Sequence, residues 1–250
     1  AEHKDVVYIS VFSNNNVCAL KNDGTVRIIN PQGAIVREFK TNVKSKPTAI
    51  AVDKKDKIYV FGSLSEKKSI EVRGKMREVV TPVAVECVVY NSNGAKEKEI
   101  KLDSIVTATG AKVTENNILV ADTRGRRVAI YDIATGVIKS QIKNLRTCCG
   151  ILDFCVRNDN EVLVANLGAF RVDGFDYTGQ NLVSFGQRGS KLDDFHGCCN
   201  PVSVGFLSNG GIVTVEKDPT RIKVYSSEGA KKIEGIEELV KGCTFIPMTV

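Results

Sequence analysis

One phrase recurs along this chain and limits what it can fold into. Residues 117–123 form a short apolar run that ends in polar residues. An Arg-led run, 126–132, follows, and then a turn ending at Gly136. The phrase returns as 161–166, 170–176 and Gly179, and again as 211–217, 221–225 and Gly229. Nearer the start, 17–20, 25–30 and Gly33 keep the same order, as do 57–61, 87–90 and Gly94. Short runs rich in Val and Ile, separated by Gly-bearing turns, read as strands joined by hairpins. The turn glycines recur at about 42 residues, the length of one four-stranded propeller blade. The intervals are 61, 42, 43 and 50 residues, and the first implies an insertion of roughly 20 residues within 63–85. That segment is rich in charge and carries Pro82, which suits an excursion from a sheet edge.

Five units are legible, and the 250 residues would accommodate six at this period. The expected fold is therefore all-β: a single propeller domain over residues 1–250, of five or six four-stranded antiparallel blades. Pairing of the terminal strands, residues 1–12 with 243–250, would close the ring and remove an exposed sheet edge.

Residues 117–136 resemble the core phrase of the NHL-repeat family of β-propellers, and the likeness runs over nearly the whole chain. Phe185-Gly186-Gln187-Arg188-Gly189, followed by Phe195 and Pro201, is similar to that family's inter-blade linker. The resemblance implies the fold and says little about activity, since one fold hosts many functions. The departure is more specific. His196-Gly197-Cys198-Cys199-Asn200 stands before Pro201, where family members often carry a plain loop.

The cysteines occupy one place in the repeat. Cys148-Cys149, Cys198-Cys199 and Cys243 each precede the first strand of a unit, about one repeat apart. First strands line the centre of a propeller, so these five should converge at the channel mouth, with His196 close by. Three readings stay open. A zinc site or a [4Fe–4S] cluster takes four such donors, although no compact C-x2-C spacing is present. Disulfides would staple neighbouring blades in an oxidising compartment. Simple packing is the third, because cysteine is among the most buried residues. Cys155 lies within a first strand and faces either the channel or the blade. Cys18 and Cys87 read as core.

Other chemistry is thinly supported. The 42% hydrophobic content excludes a disordered chain, and no run of roughly 18 apolar residues exists to form a membrane span. Eight Cys in 250 residues do not make a small disulfide scaffold, because a chain this long builds its own core. Only two His, His3 and His196, argue against a metal hydrolase or lyase with several His ligands, and no Gly-x-Ser-x-Gly elbow occurs. Asp153, Asp173 and the 193–194 pair lack the alternating carboxylates of a calcium loop. Residues 235–241 read as one helical turn.

Arg124, Arg126 and Arg127 form a basic cluster, but Arg171 and Arg221 repeat the position. That points to a structural arginine bridging blades rather than to a nucleic-acid face. Aromatic content of 6% leaves few stacking platforms for single strands.

The expectation is a non-hydrolytic binding or electron-transfer propeller whose channel-mouth cysteines hold an iron–sulfur cluster or another metal. The partner expected with it is a protein, such as a redox protein. A disulfide-stapled interaction scaffold is the alternative, with a metal-dependent lyase or hydrolase behind it. The chain opens on Ala1 rather than Met, from which a processed, exported protein is expected.

Overall fold

The computed structural model describes residues 5–225, apart from 149, 158, 192–193, 208–209 and 218–219. Contacts divide the chain into two compact units. One runs to Arg124 and adds Ile130–Lys139; the other holds Gly125–Ala129 and the chain from Ser140 onward.

Among the described residues, nineteen strands form five antiparallel sheets in chain order. The first sheet is β1 (Val6–Val11), β2 (Val17–Lys21), β3 (Thr25–Ile29) and β4 (Ile35–Lys40). The second is β5 (Pro47–Val52), β6 (Ile58–Val72), β7 (Lys75–Tyr90) and β8 (Lys96–Leu102). The third is β9 (Gly110–Val113), β10 (Asn117–Asp122), β11 (Arg127–Asp132) and β12 (Ile138–Ile142). The fourth is β13 (Phe154–Arg157), β14 (Glu161–Asn166), β15 (Arg171–Asp176) and β16 (Asn181–Phe185). The fifth shows β17 (Ser203–Phe206), β18 (Ile212–Lys217) and β19 (Thr220–Tyr225).

Each sheet is an up-and-down meander, the blade of a β-propeller. First strands lie beside first strands: β1 by β5 and β5 by β9 in the first unit, β13 by β17 in the second. No α-helix occurs among the described residues, and none of their helices is long and apolar enough to cross a membrane. The expected closing strand, Gly229 and the helical turn at 235–241 lie outside the described residues.

The turn between third and fourth strands shows why the phrase recurs. In each of the first four sheets an Asn or Asp ends the third strand or directly follows it, and its side-chain oxygen accepts backbone N–H groups two to four residues on. Asn30 takes those of Gln32 and Ala34, Asn91 those of Asn93 and Ala95. Asp132 takes those of Ala134 and Thr135, Asp176 those of Thr178 and Gln180. Such Asx turns compete well with continued strand. The glycine that follows is left-handed in each, with φ +83° at Gly33 and Gly94, +71° at Gly136 and +91° at Gly179. Packing adds a second demand at Gly136. A Cβ there would stand 2.4 Å from the Lys101 carbonyl oxygen, on the outer strand of the preceding sheet.

The middle strands supply the cores. In the first unit Cys18, Leu20 and Val26 pack with Ile50, Val60, Val88 and Tyr90. In the second, Cys155, Leu163, Val172 and Phe195 pack with Val204, Ile212 and Tyr225. Residues 63–85 are the outer half of one long hairpin, in which β6 and β7 pair out to Val72 and Lys75 with one register shift between Leu64 and Ser65.

Candidate metal centre

The loops that carry the cysteines are placed by buried polar residues at one repeat position, the end of the second strand. Asn166 on β14 accepts the Arg146 N–H at 2.7 Å, which fixes the segment leading to Cys148. Glu216 on β18 accepts the His196 N–H at 3.1 Å, which fixes the segment leading to Cys198. On β10, Asp122 accepts the Thr107 hydroxyl at 2.6 Å in the same manner. All three acceptors are buried.

Glu216 is itself charge-compensated. Lys223 lies 3.0 Å from its Oε1 and Arg221 2.8 Å from its Oε2, and both the lysine and the glutamate are fully buried. A buried carboxylate with no counter-charge would cost several kcal/mol (about that order), so the pair is needed for the residue to sit there at all. Lys223 and Arg221 also donate to the Asp194 carbonyl, at 2.6 and 3.1 Å, tying the linker to the same strand.

The loop itself wraps round Asn200. This fully buried amide donates to the His196 carbonyl at 2.6 Å and accepts the Lys217 N–H at 3.0 Å. Gly197 (φ +70°) and Cys199 (φ +58°) take left-handed backbone, the second an uncommon choice for a residue with a Cβ. Asp153 joins the two cysteine loops by accepting the Ser203 hydroxyl at 2.5 Å and the Val204 N–H at 3.3 Å.

The consequence is a cluster of three sulfurs. The Sγ atoms of Cys148, Cys198 and Cys199 all lie within 4.8 Å of one another, and those of Cys198 and Cys199 are 3.1 Å apart. Cys199 is buried, Cys148 half-buried and Cys198 exposed, so the group is reachable from solvent on one side. No disulfide joins any two of the described cysteines. His196 is exposed and is not one of the group; its backbone, not its ring, has the structural task here. Cys149 and Cys243 lie outside the described residues.

The remaining cysteines belong to the cores. Cys155 takes the inward option, packing against Leu163 and Phe195. Cys18 and Cys87 are fully buried, and burial pushes the Cys18 thiol up to about 12 and the Cys87 thiol higher still.

Asp153, Asp173 and Asp194 are spent on structure. Asp173 accepts from Asn166, Arg171 and Ser184; Asp194 accepts from Gln187 and from the Lys191 backbone, contacts that hold its carboxyl below the usual range. The recurring arginines work mainly within their own sheets. Arg127 bonds Gln141 of β12, Arg171 pairs with Asp173 and Arg221 with Glu216. Arg221 also reaches back to the linker at Asp194, as a bridge between neighbouring blades would, whereas Arg127 bonds across to the neighbouring strand and Arg171 pairs along its own.

Asn166, Asn200, Glu216 and Asp153 were the positioning residues that residue spacing did not single out. A signal was there for two of them, because Asp122, Asn166 and Glu216 are polar at equivalent ends of apolar strands. Asn200 and Asp153 carry no such mark.

No family model matches this chain, and no curated protein does. Among solved structures it is similar to a protein of unknown function from Bacteroides caccae, at 10% identity and a TM-score of 0.63, over 91% of this chain and 81% of that one. At that identity the likeness is one of fold. The arrangement is that of a β-propeller with a three-cysteine group that can hold a metal ion.

Proposed function

We propose that this chain is a non-hydrolytic metal-binding propeller of NHL-like type, in which Cys148, Cys198 and Cys199 hold one thiophilic ion. The observation that carries the reading is the approach of three sulfurs to within 4.8 Å on loops fixed by buried polar anchors. A Zn–S bond of about 2.3 Å puts thiolates on one tetrahedral ion roughly 3.8 Å apart, so small movements would seat them. Thiolates on separate irons of a [4Fe–4S] cluster stand further apart than those sharing one ion, which favours a single ion over a cluster. Three thiolates select soft or borderline ions such as Cu(I) and Zn(II). When bound, a redox-active ion would supply electron transfer. The chain's own part is to hold the sulfurs, bury one side and leave Cys198 open towards a protein partner. An exported location goes with this reading.

The 3.1 Å contact between Cys198 and Cys199 favours one alternative, in which a disulfide or other two-electron oxidant of an oxidising compartment converts the pair to a vicinal disulfide and leaves the propeller a metal-free interaction scaffold. Anaerobic purification followed by zinc, copper and iron analysis with a free-thiol count tests both. The proposal expects close to one ion per chain, lost in Cys148→Ser and in Cys198→Ser and retained in His196→Ala. Metal-free protein with Cys198 and Cys199 blocked towards thiol reagents would overturn it in favour of the scaffold.

A further inference from the structure

The second compact unit also carries a cationic concavity that takes no part in the sulfur cluster. It has a volume of about 500 Å³, within the range of small-ligand sites, and is walled by Arg126, Arg127, Lys143, Asn144 and Arg146. Its lining holds four cations and no carboxylate. Arg126, Lys143 and Arg146 have no ion-pair partner among the described residues.

Two short segments build it, and they are locked together. The turn at 124–126 meets the segment at 143–146 through the Leu145 N–H, which donates to the Arg126 carbonyl at 3.0 Å. Both partners of this meeting take left-handed backbone without being glycine, Arg126 at φ +51° and Asn144 at φ +62°. For arginine that conformation is uncommon and persists where the surroundings impose it. Arg127 is held in place from the wall, its Nη1 donating to Gln141 Oε1 at 2.6 Å. The arrangement thus gathers cations that repel one another and fixes the backbone that bears them. Field lines from such a cluster focus in a concavity and raise the local concentration of anions.

We propose that this concavity binds the phosphate or diphosphate group of a small ligand. Guanidinium groups suit it because they donate two parallel N–H bonds to phosphate oxygens, and two arginines, Arg126 and Arg146, are without a carboxylate to occupy them among the described residues. The size admits a diphosphate or a sugar phosphate. The Arg127 position repeats along the chain as a structural arginine, and the Lys143 position is matched by Lys40 and Lys101, so Arg126 and Arg146 are the cations particular to this sheet. At the places equivalent to Arg126 the chain has Phe170 and Thr220.

Calorimetric titration at fixed ionic strength with inorganic phosphate, pyrophosphate and glucose 6-phosphate tests this and separates a free phosphate from a phosphorylated small molecule. Saturable binding of at least one of the three is expected. Arg126→Ala/Arg146→Ala should weaken it about tenfold or more, in line with the loss of charge-assisted hydrogen bonds. Lys40→Ala/Lys44→Ala removes the same charge elsewhere and should leave the affinity unchanged. Circular dichroism melts of both variants confirm that each is folded. Absence of saturable binding to all three anions, or an equal loss in the two double variants, would overturn the proposal. So would binding of a single-stranded oligonucleotide that Arg126→Ala/Arg146→Ala abolishes while none of the small anions binds.

Discussion

At the scale of single residues, burial sorts the cysteines into two chemical populations. Cys18 and Cys87 sit in apolar cores, where a thiolate has no water to stabilise it, and their titration moves far above neutral pH. Cys198 stands at the surface beside two other sulfurs. Iodoacetamide applied to the native, metal-free protein at pH 8 should label Cys198 first and spare Cys18 and Cys87; peptide mass spectrometry would read the order. The same burial has a consequence for stability. A thiol whose pKa is raised on folding contributes stability below its unfolded value, near 8.5, and loses it as the pH climbs towards the folded value of about 12 for Cys18. Denaturant midpoints of wild type should therefore fall above pH 9 more steeply than those of Cys18→Ala. Gly136 gives a residue-scale test of the turn. With φ at +71° and a carbonyl 2.4 Å from the place a Cβ would occupy, Gly136→Ala should lower stability by about 2 kcal/mol or more, measured by urea unfolding.

At the scale of elements, the cysteine loops owe their position to the strand ends behind them. Glu216 and Asn200 both hold the 196–200 loop, one through the His196 N–H and the other through its carbonyl. Both act on the backbone of the loop, so their role is positioning. Glu216→Gln keeps the shape but leaves Lys223 buried without its counter-charge, a change that should cost roughly 3 kcal/mol or more of stability. Asn200→Ala removes two hydrogen bonds and is the milder probe, at about 2 kcal/mol. It should weaken Zn(II) affinity, measured by competition with a chelator, while leaving the iodoacetamide order of Cys18 and Cys87 unchanged. A merely destabilised protein would instead expose those two. The strand-end anchors were readable in part, since polar residues closing apolar strands recur at Asp122, Asn166 and Glu216. Which backbone group each one holds was not, because that depends on how a loop from the preceding linker folds back onto the strand.

At the scale of the whole molecule, the repeat makes each sheet largely a local construction. Every strand but the first of each sheet pairs with its predecessor in sequence. The long β6–β7 hairpin is the departure from that economy. Beyond Leu64 it leaves the core, and Ile70, Met76, Val80 and Val83 are exposed along it. Two-stranded ribbons contribute little independent stability in water. Replacing residues 66–81 by a two-residue Asn-Gly turn should therefore leave the thermal midpoint within a few degrees, read by circular dichroism. A large fall would mean that the ribbon packs on something within the chain.

Periodicity alone determined the meander of short strands, the turn at each glycine and the assignment of Cys18 and Cys87 to cores. It did so because strand alternation, Asx turns and left-handed glycines are local properties, set within a few residues of one another. The spacing of the cysteines also implied that loops one repeat apart would meet. What only the tertiary structure decided is which atoms meet there. It brought the sulfurs of Cys148, Cys198 and Cys199 together, left His196 outside that group, and sent Cys155 into the core. Those outcomes rest on Asn166, Asn200, Glu216 and Asp153, which hold segments up to 51 residues distant or brace a loop from inside. Burial and charge compensation at such points depend on what packs across from them, and a linear pattern does not carry that information.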